Sequence, residues 1–162
     1  MNPPIITQAR DASDFALAKS LIEEYESVLG VDLCFQNFPE EIANLPVVYG
    51  PPGGCMLLAR VNDALAGCVA VRGLQDGDCE IKRLYVKNGY RNQRVGRRLV
   101  ASAIGFAREQ GYSRMLLDTL PGMIEAQALY LSFGFHEISA YYTNPVEGVR
   151  YMALDLMRKT CS

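Results

Sequence analysis

Hydrophobic residues recur along this chain in two rhythms, and the switches between them mark its elements. Behind Asp11 and Ser13, two candidate N-caps, ALAKSLIEEYESVL spaces its apolar positions by three and four, which predicts a first helix. FPEEIAN predicts a short second helix with Pro39 in its first turn. After GPPGG at 50–54 the character changes to strand-like runs, CMLLARVN, GCVAVRGL and CEIKRLYV. Tight-turn sequences, NDALAG and QDGD, separate them, so an antiparallel meander is expected. Helical spacing returns from about Arg94 to Gln110 and stops at Gly111. RMLLDTL then reads as a strand, MIEAQALYLSFG as a helix ended by Gly134, and FHEISAYY and GVRYMALDL as two last strands joined through TNPVEG. The resulting order is β–α–α–β–β–β–α–β–α–β–β. Its central β–α–β crossover forces two parallel strands into an otherwise antiparallel sheet, a mixed α/β (α+β) fold.

The bulk numbers narrow the class. A chain of 162 residues, 49% apolar and 21% charged, suits a single globular domain spanning 1–162. No apolar run approaches the ~20 residues a bilayer needs. The start, MNPPIITQARD, lacks the basic-then-apolar order of a secretory signal, so a cytoplasmic protein without membrane partners is expected. Five cysteines without a CxxC pair and a lone histidine, His136, predict neither a disulfide framework nor a metal site. Cys55, Cys68 and Cys79 fall inside strand-like runs, where a thiol serves as a small hydrophobe.

Charge changes the picture at one place. The formal net charge is −2, yet seven basic residues fall between Lys82 and Arg98 and no acidic one lies between Glu80 and Glu109. The connector NGYRNQ delivers the chain from a strand into a helix start, where amides lack intrahelical partners and the dipole is positive. Arg91, Arg94, Arg97 and Arg98 surround that anion site, and Gly96 allows a bound group near the backbone. From physics alone three readings stand: a small phosphorylated ligand, a nucleic-acid surface, and a solvated face. The first is favoured over nucleic acid because the patch is short, the chain is acidic and no aromatic-rich binding face accompanies it. Neither GxxxxGK[ST] nor GxGxxG is present.

Two motifs then carry a resemblance. RNQRVG at 91–96 follows the fourth strand in the form [Q/R]-x-x-G-x-[G/A], and AQALYLSFGF at 126–135 follows A-x-x-x-Y-x-x-x-G-F. Together, at this spacing, they resemble the GNAT superfamily of acetyl-CoA-dependent N-acetyltransferases, and the element order agrees over nearly the whole chain. The resemblance implies a mostly antiparallel sheet of about six to seven strands, about four helices and splayed central parallel strands. It departs at two positions: Arg94 replaces the pattern's first glycine, and Met123 stands where many members carry an asparagine against the pantetheine arm.

The resemblance further implies that the pyrophosphate of acetyl-CoA rests on Arg91, Asn92, Gln93, Arg94, Val95, Gly96 and Arg97. The pantetheine would run along Leu84, Tyr85 and Val86, with an amide near Val86 facing the oxyanion. Tyr130, the tyrosine of the second motif, would protonate the leaving thiolate, its alternative being a core tyrosine. Glu80 matches the base of some members, and strand alternation would put it on one face with Lys82 and Leu84. Its alternative is an ion pair with Lys82 or a neighbouring strand. From topology, Gln36, Tyr49, Asp118 and Tyr142, with Tyr141 and Asn144 beside them, are the acceptor-pocket candidates. The expected activity is acetyl transfer to a primary amine by direct attack. The alternatives are a non-catalytic acyl-CoA-binding domain and a nucleic-acid binder. A homodimer through the last strands is compatible with the fold.

Overall fold

The computed structural model describes residues 2–30 and 37–157. Seven strands form one sheet in the order β1-β2-β3-β4-β5-β7-β6. They are β1 (Ile5–Gln8), β2 (Cys55–Val61), β3 (Ala64–Gly73), β4 (Asp78–Val86), β5 (Arg114–Thr119), β6 (His136–Ile138) and β7 (Arg150–Asp155). The helices are α1 (Ala12–Leu29), α2 (Phe38–Ala43), α3 (Leu45–Val48), α4 (Val95–Glu109) and α5 (Ile124–Ser132). Among the described residues no helix is long and apolar enough to cross a membrane.

Helices cover both faces of the sheet, which is why its central strands read as unbroken apolar runs. Cys55, Leu57 and Ala59 of β2 join one core with Leu99, Val100 and Ala103 of α4. Met56 and Leu58, the alternate residues, join the other core with Phe15, Leu21 and Ile22 of α1. Asp11 is the N-cap of α1, its Oδ1 accepting from the Asp14 amide at 2.9 Å, and Ser13 lies inside the helix. The β2–β3 turn is tighter than NDALAG suggests. Asn62 and Asp63, both with positive φ, make the reversal alone, in the manner of a two-residue hairpin.

Two further expectations change. LPVV, which has no element in the expected order, forms α3 with a proline in its first turn. FHEISAYY contributes only His136–Ile138 to the sheet, and its tyrosines leave to pack elsewhere.

The decisive irregularity is in β4. Cys68 pairs with Tyr85 but Ala70 pairs with Lys82, so Val69 faces both Arg83 and Leu84, and Arg83 takes a φ of 60°. This is a β-bulge. It reverses the alternation beyond it: Cys79 and Ile81 face the α4 side before the bulge, whereas Leu84 and Val86 face that side after it. Glu80 and Lys82 therefore share the α1–α2 face with Tyr85 and not with Leu84, correcting the expectation from simple period two. On its other edge β4 pairs with β5 in parallel only at Asp78–Arg114, Cys79–Met115 and Glu80–Leu116, although both strands run on. Beyond Glu80 the strands splay.

Candidate active site

A cleft of about 1080 Å³ opens at that splay, between β4, the start of α4 and the start of α5. Leu84, Tyr85, Val86, Arg91, Asn92, Arg94, Val95, Gly96 and Arg97 line it, together with Tyr25 of α1 and Met123 before α5. Gln93, also expected there, is not among the lining residues, and its Nε2 donates to the Gly89 carbonyl at 3.4 Å. The reason is local: the turn alternates, with Asn92 and Arg94 left-handed at φ 68° and 63°, which separates Gln93 from its neighbours.

Arg94 is the N-cap of α4 and its side chain makes no capping bond, so no side chain of the cap covers the first-turn amides. It holds the left-handed conformation that glycine adopts without strain, which accounts physically for glycine in the motif and puts a cost of about 1–2 kcal/mol on arginine. Arg97 reaches α5, where Nη2 donates to Ser132 Oγ at 2.9 Å and the guanidinium lies 5.0 Å over the Phe133 ring. Gly96 packs closely: a Cβ there would lie 3.4 Å from Leu129 and 3.7 Å from Val86 side-chain atoms.

A chamber of about 50 Å³ continues the cleft through the splay, sharing Leu84 and Met123 with it and adding Lys82, Arg83, Asp118, Thr119, Tyr130 and Asn144. Tyr130 is buried with its ring 5.5 Å from Phe135, and desolvation drives its hydroxyl well above the ordinary tyrosine range, so it stays protonated. Thr119 Oγ1 is buried without a hydrogen-bond partner among the described residues. Asp118 accepts from the Tyr142 hydroxyl and from Asn144 Nδ2, the latter at 2.8 Å. Tyr142 itself lies outside both cavities and holds Asp118 from behind.

The remaining candidates divide. Tyr49 is 1% exposed inside the core under α1, so it is a packing residue and not part of the cleft. Gln36 lies outside the described residues. Glu80 touches neither cavity. Oε1 accepts from Arg72 Nε at 2.9 Å, and Oε2 accepts from the Tyr141 hydroxyl at 2.6 Å, so the ion pair goes to its β3 partner across the strands. Lys82 is farther from it, at 3.9 Å.

Sequence reasoning missed the buried pair Arg83–Glu41, whose partners lie 42 residues apart. It also missed Gln127, which ties Leu120 to Arg150 beneath the chamber through bonds of 2.8 and 2.9 Å. A positive-φ arginine and a glutamate in a short helix carry no sequence signal of their meeting. Gln127 sits three residues before Tyr130, on the same face of α5, and that spacing was the available clue. No group of three or more His, Cys, Asp or Glu that could hold a metal occurs among the described residues.

Comparison with known proteins fits this geometry. A family model described as the acetyltransferase (GNAT) family matches residues 17–135. An uncharacterized N-acetyltransferase of Schizosaccharomyces pombe is 44% identical over 151 residues, 92% of this chain and 91% of that protein. An uncharacterized N-acetyltransferase of Dictyostelium discoideum is 31% identical over 78% of this chain and 87% of its own length. The crystal structure of a GNAT-family acetyltransferase from Staphylococcus aureus superposes with a TM-score of 0.77 at 22% identity, covering 94% of this chain and 99% of that one. The chain belongs to the GNAT acetyltransferase family, a family that uses acetyl-CoA, and acetyltransferase activity is its general class.

Proposed function

We propose that the chain is one acetyltransferase domain that moves an acetyl group from acetyl-CoA to a primary amine by direct attack in a ternary complex. The observation that carries the reading is the splay of β4 from β5 after Glu80, with an uncapped basic helix start at one end and Tyr130 and Asp118 at the other. Arg91, Arg94 and Arg97 with the α4 amides hold the pyrophosphate; the exposed edge of β4 at Leu84–Val86 holds the pantetheine; Met123 adds an apolar contact where a polar one is common.

The chemistry follows from charge. An amine with a pKa near ~10.4 arrives as the ammonium and must shed a proton before it attacks. Asp118 draws the cation to the chamber. The N–C bond then forms and the C–S bond breaks; Tyr130 gives its proton to the departing thiolate and recovers one from the nitrogen. Glu80 lines neither cavity, and neither does Tyr141, whose hydroxyl donates to it, so the first proton reaches Glu80 only by way of water. A cysteine nucleophile is disfavoured: burial pushes the Cys55, Cys68 and Cys79 thiols up to about 12.

The test is calorimetric titration with acetyl-CoA followed by thiol release against an amine panel. Saturable binding lost in Arg91→Ala/Arg97→Ala, and amine-dependent thiol release, are expected. Absence of both would overturn the proposal; binding without release would leave a non-catalytic acyl-CoA binder.

A further inference from the structure

The α1–α2 face of β4 carries an uneven set of charges. Arg83 spends Nε and Nη2 on the two oxygens of Glu41, at 2.8 and 2.7 Å. Glu80 is satisfied by Arg72 on one oxygen and Tyr141 on the other. Three cations, Arg72, Lys82 and Arg83, thus face two carboxylates whose oxygens already accept shorter bonds, and Lys82 keeps only a 3.9 Å ion pair to Glu80. Its side chain is only 8% exposed, it stands 3.9 Å from an oxygen that Arg72 occupies, and among the described residues its ammonium makes no hydrogen bond. A buried ammonium without a hydrogen-bonding partner is costly, and an anion beside it would relieve that cost.

Lys82 and Arg83 both line the small chamber, and Asp118 lines it from β5 across the splay. Asp118 in turn accepts from side-chain hydroxyl and amide donors, Tyr142 and Asn144, and among the described residues from no cation. The chamber is therefore lined by a cation with only one long ion pair and by an anion that meets no cation among the described residues, on the two splayed strands. Its ~50 Å³ is room for about one or two waters, enough for a carboxylate head and too little for a ring.

We propose that the acceptor amine also bears a carboxylate, bound by Lys82 and by the nitrogen of Arg83 that Glu41 does not use, while its ammonium faces Asp118. The acceptor is then amino-acid-like, a class a polyamine does not meet, since a second cation would be brought against Lys82. The inference rests on the acetyl-transfer reading. Burial, with Arg83 and Arg72 nearby, lowers the Lys82 pKa against the pull of Glu80, which agrees with an ammonium short of anions.

The experiment compares free L-amino acids with the matching amino-acid amides and with polyamines, by thiol release from acetyl-CoA and by calorimetry, in wild type and Lys82→Met. Lys82→Met removes a buried charge whose ion pair is 3.9 Å long, leaves Glu80 bonded to Arg72 and Tyr141, and keeps the stem length, so folding is retained. Free acids are expected to outperform their amides in kcat/KM by tenfold or more, and Lys82→Met should shrink that ratio by raising KM for the acids alone. Amides or polyamines turned over as well as the acids would overturn the carboxylate subsite and leave acetyl transfer standing. If no amine is acetylated, the acetyl-transfer reading falls separately, and calorimetry decides the subsite: binding of free amino acids that Lys82→Met weakens supports it, and no binding overturns it.

Discussion

Glu41 of α2 and Arg83 of β4 meet in a two-point ion pair, Nε to Oε2 at 2.8 Å and Nη2 to Oε1 at 2.7 Å, at the residue where β4 bulges. Both side chains are buried, and Phe38 of α2 lies under the guanidinium at 5.3 Å. The pair fixes α2 to the strand that opens the cleft. Glu41→Gln leaves Arg83 buried and unpaired, and should cost about 3–5 kcal/mol in urea unfolding. Burial raises the Glu41 pKa, but the hydrogen bond and charge of Arg83 outweigh it, and the net value falls below 4.5. The unfolded state then binds the proton more readily than the folded one. The stabilisation is present above about 4.5 and is lost as pH falls below that, a slope that Glu41→Gln should lack.

Arg94 sets backbone comfort against ligand charge. Arg94→Gly relieves a left-handed arginine at the N-cap of α4 and should raise stability by about 0.5–1 kcal/mol. The same change removes a guanidinium from the cleft, so acetyl-CoA affinity in calorimetry should fall about tenfold and lose part of its salt dependence. Unchanged affinity would show that the α4 amides alone hold the phosphates.

Tyr130→Phe removes the hydroxyl of a chamber-lining tyrosine that makes no side-chain hydrogen bond to the described residues, so thermal stability should change little. As the proton donor to the thiolate, the hydroxyl should be worth about 10²-fold or more in kcat, with KM for acetyl-CoA nearly constant. A kcat within twofold of wild type would return Tyr130 to its packing role beside Phe135.

Alkaline pH should unfold the protein early. Burial lifts the Cys55, Cys68 and Cys79 thiols from 9.0 to about 12, so between those values the unfolded chain loses protons that the folded one keeps. Stability intact below about pH 9 is then lost as pH rises, at up to about 1.4 kcal/mol per pH unit for each thiol. Cys68→Ala should flatten the decline in melting temperature between about pH 9 and 11, even though its stability at pH 7 is lower because of the cavity it creates.

The sequence alone determined the element order apart from α3, the parallel crossover and the basic entry into α4, because apolar period and turn residues are local properties that 10–15 residues can express. It also placed much of the lining of the larger cleft, since Leu84–Val86 and Arg91–Arg97 lie within one short continuous segment. The small chamber became legible only in three dimensions. One inserted residue at Arg83 turns Leu84 to the face opposite Glu80 and Lys82, and a period-two pattern has no mark for that insertion. Tyr49 is core and Tyr142 supports Asp118 because of helices and strands that pack from elsewhere. The partners of Glu80 and Arg83 are set by strand pairing and by contacts 42 and 61 residues away. Charges at such separations meet only after the chain has folded, so which of them pair closely and which only at 3.9 Å is a property of the tertiary structure.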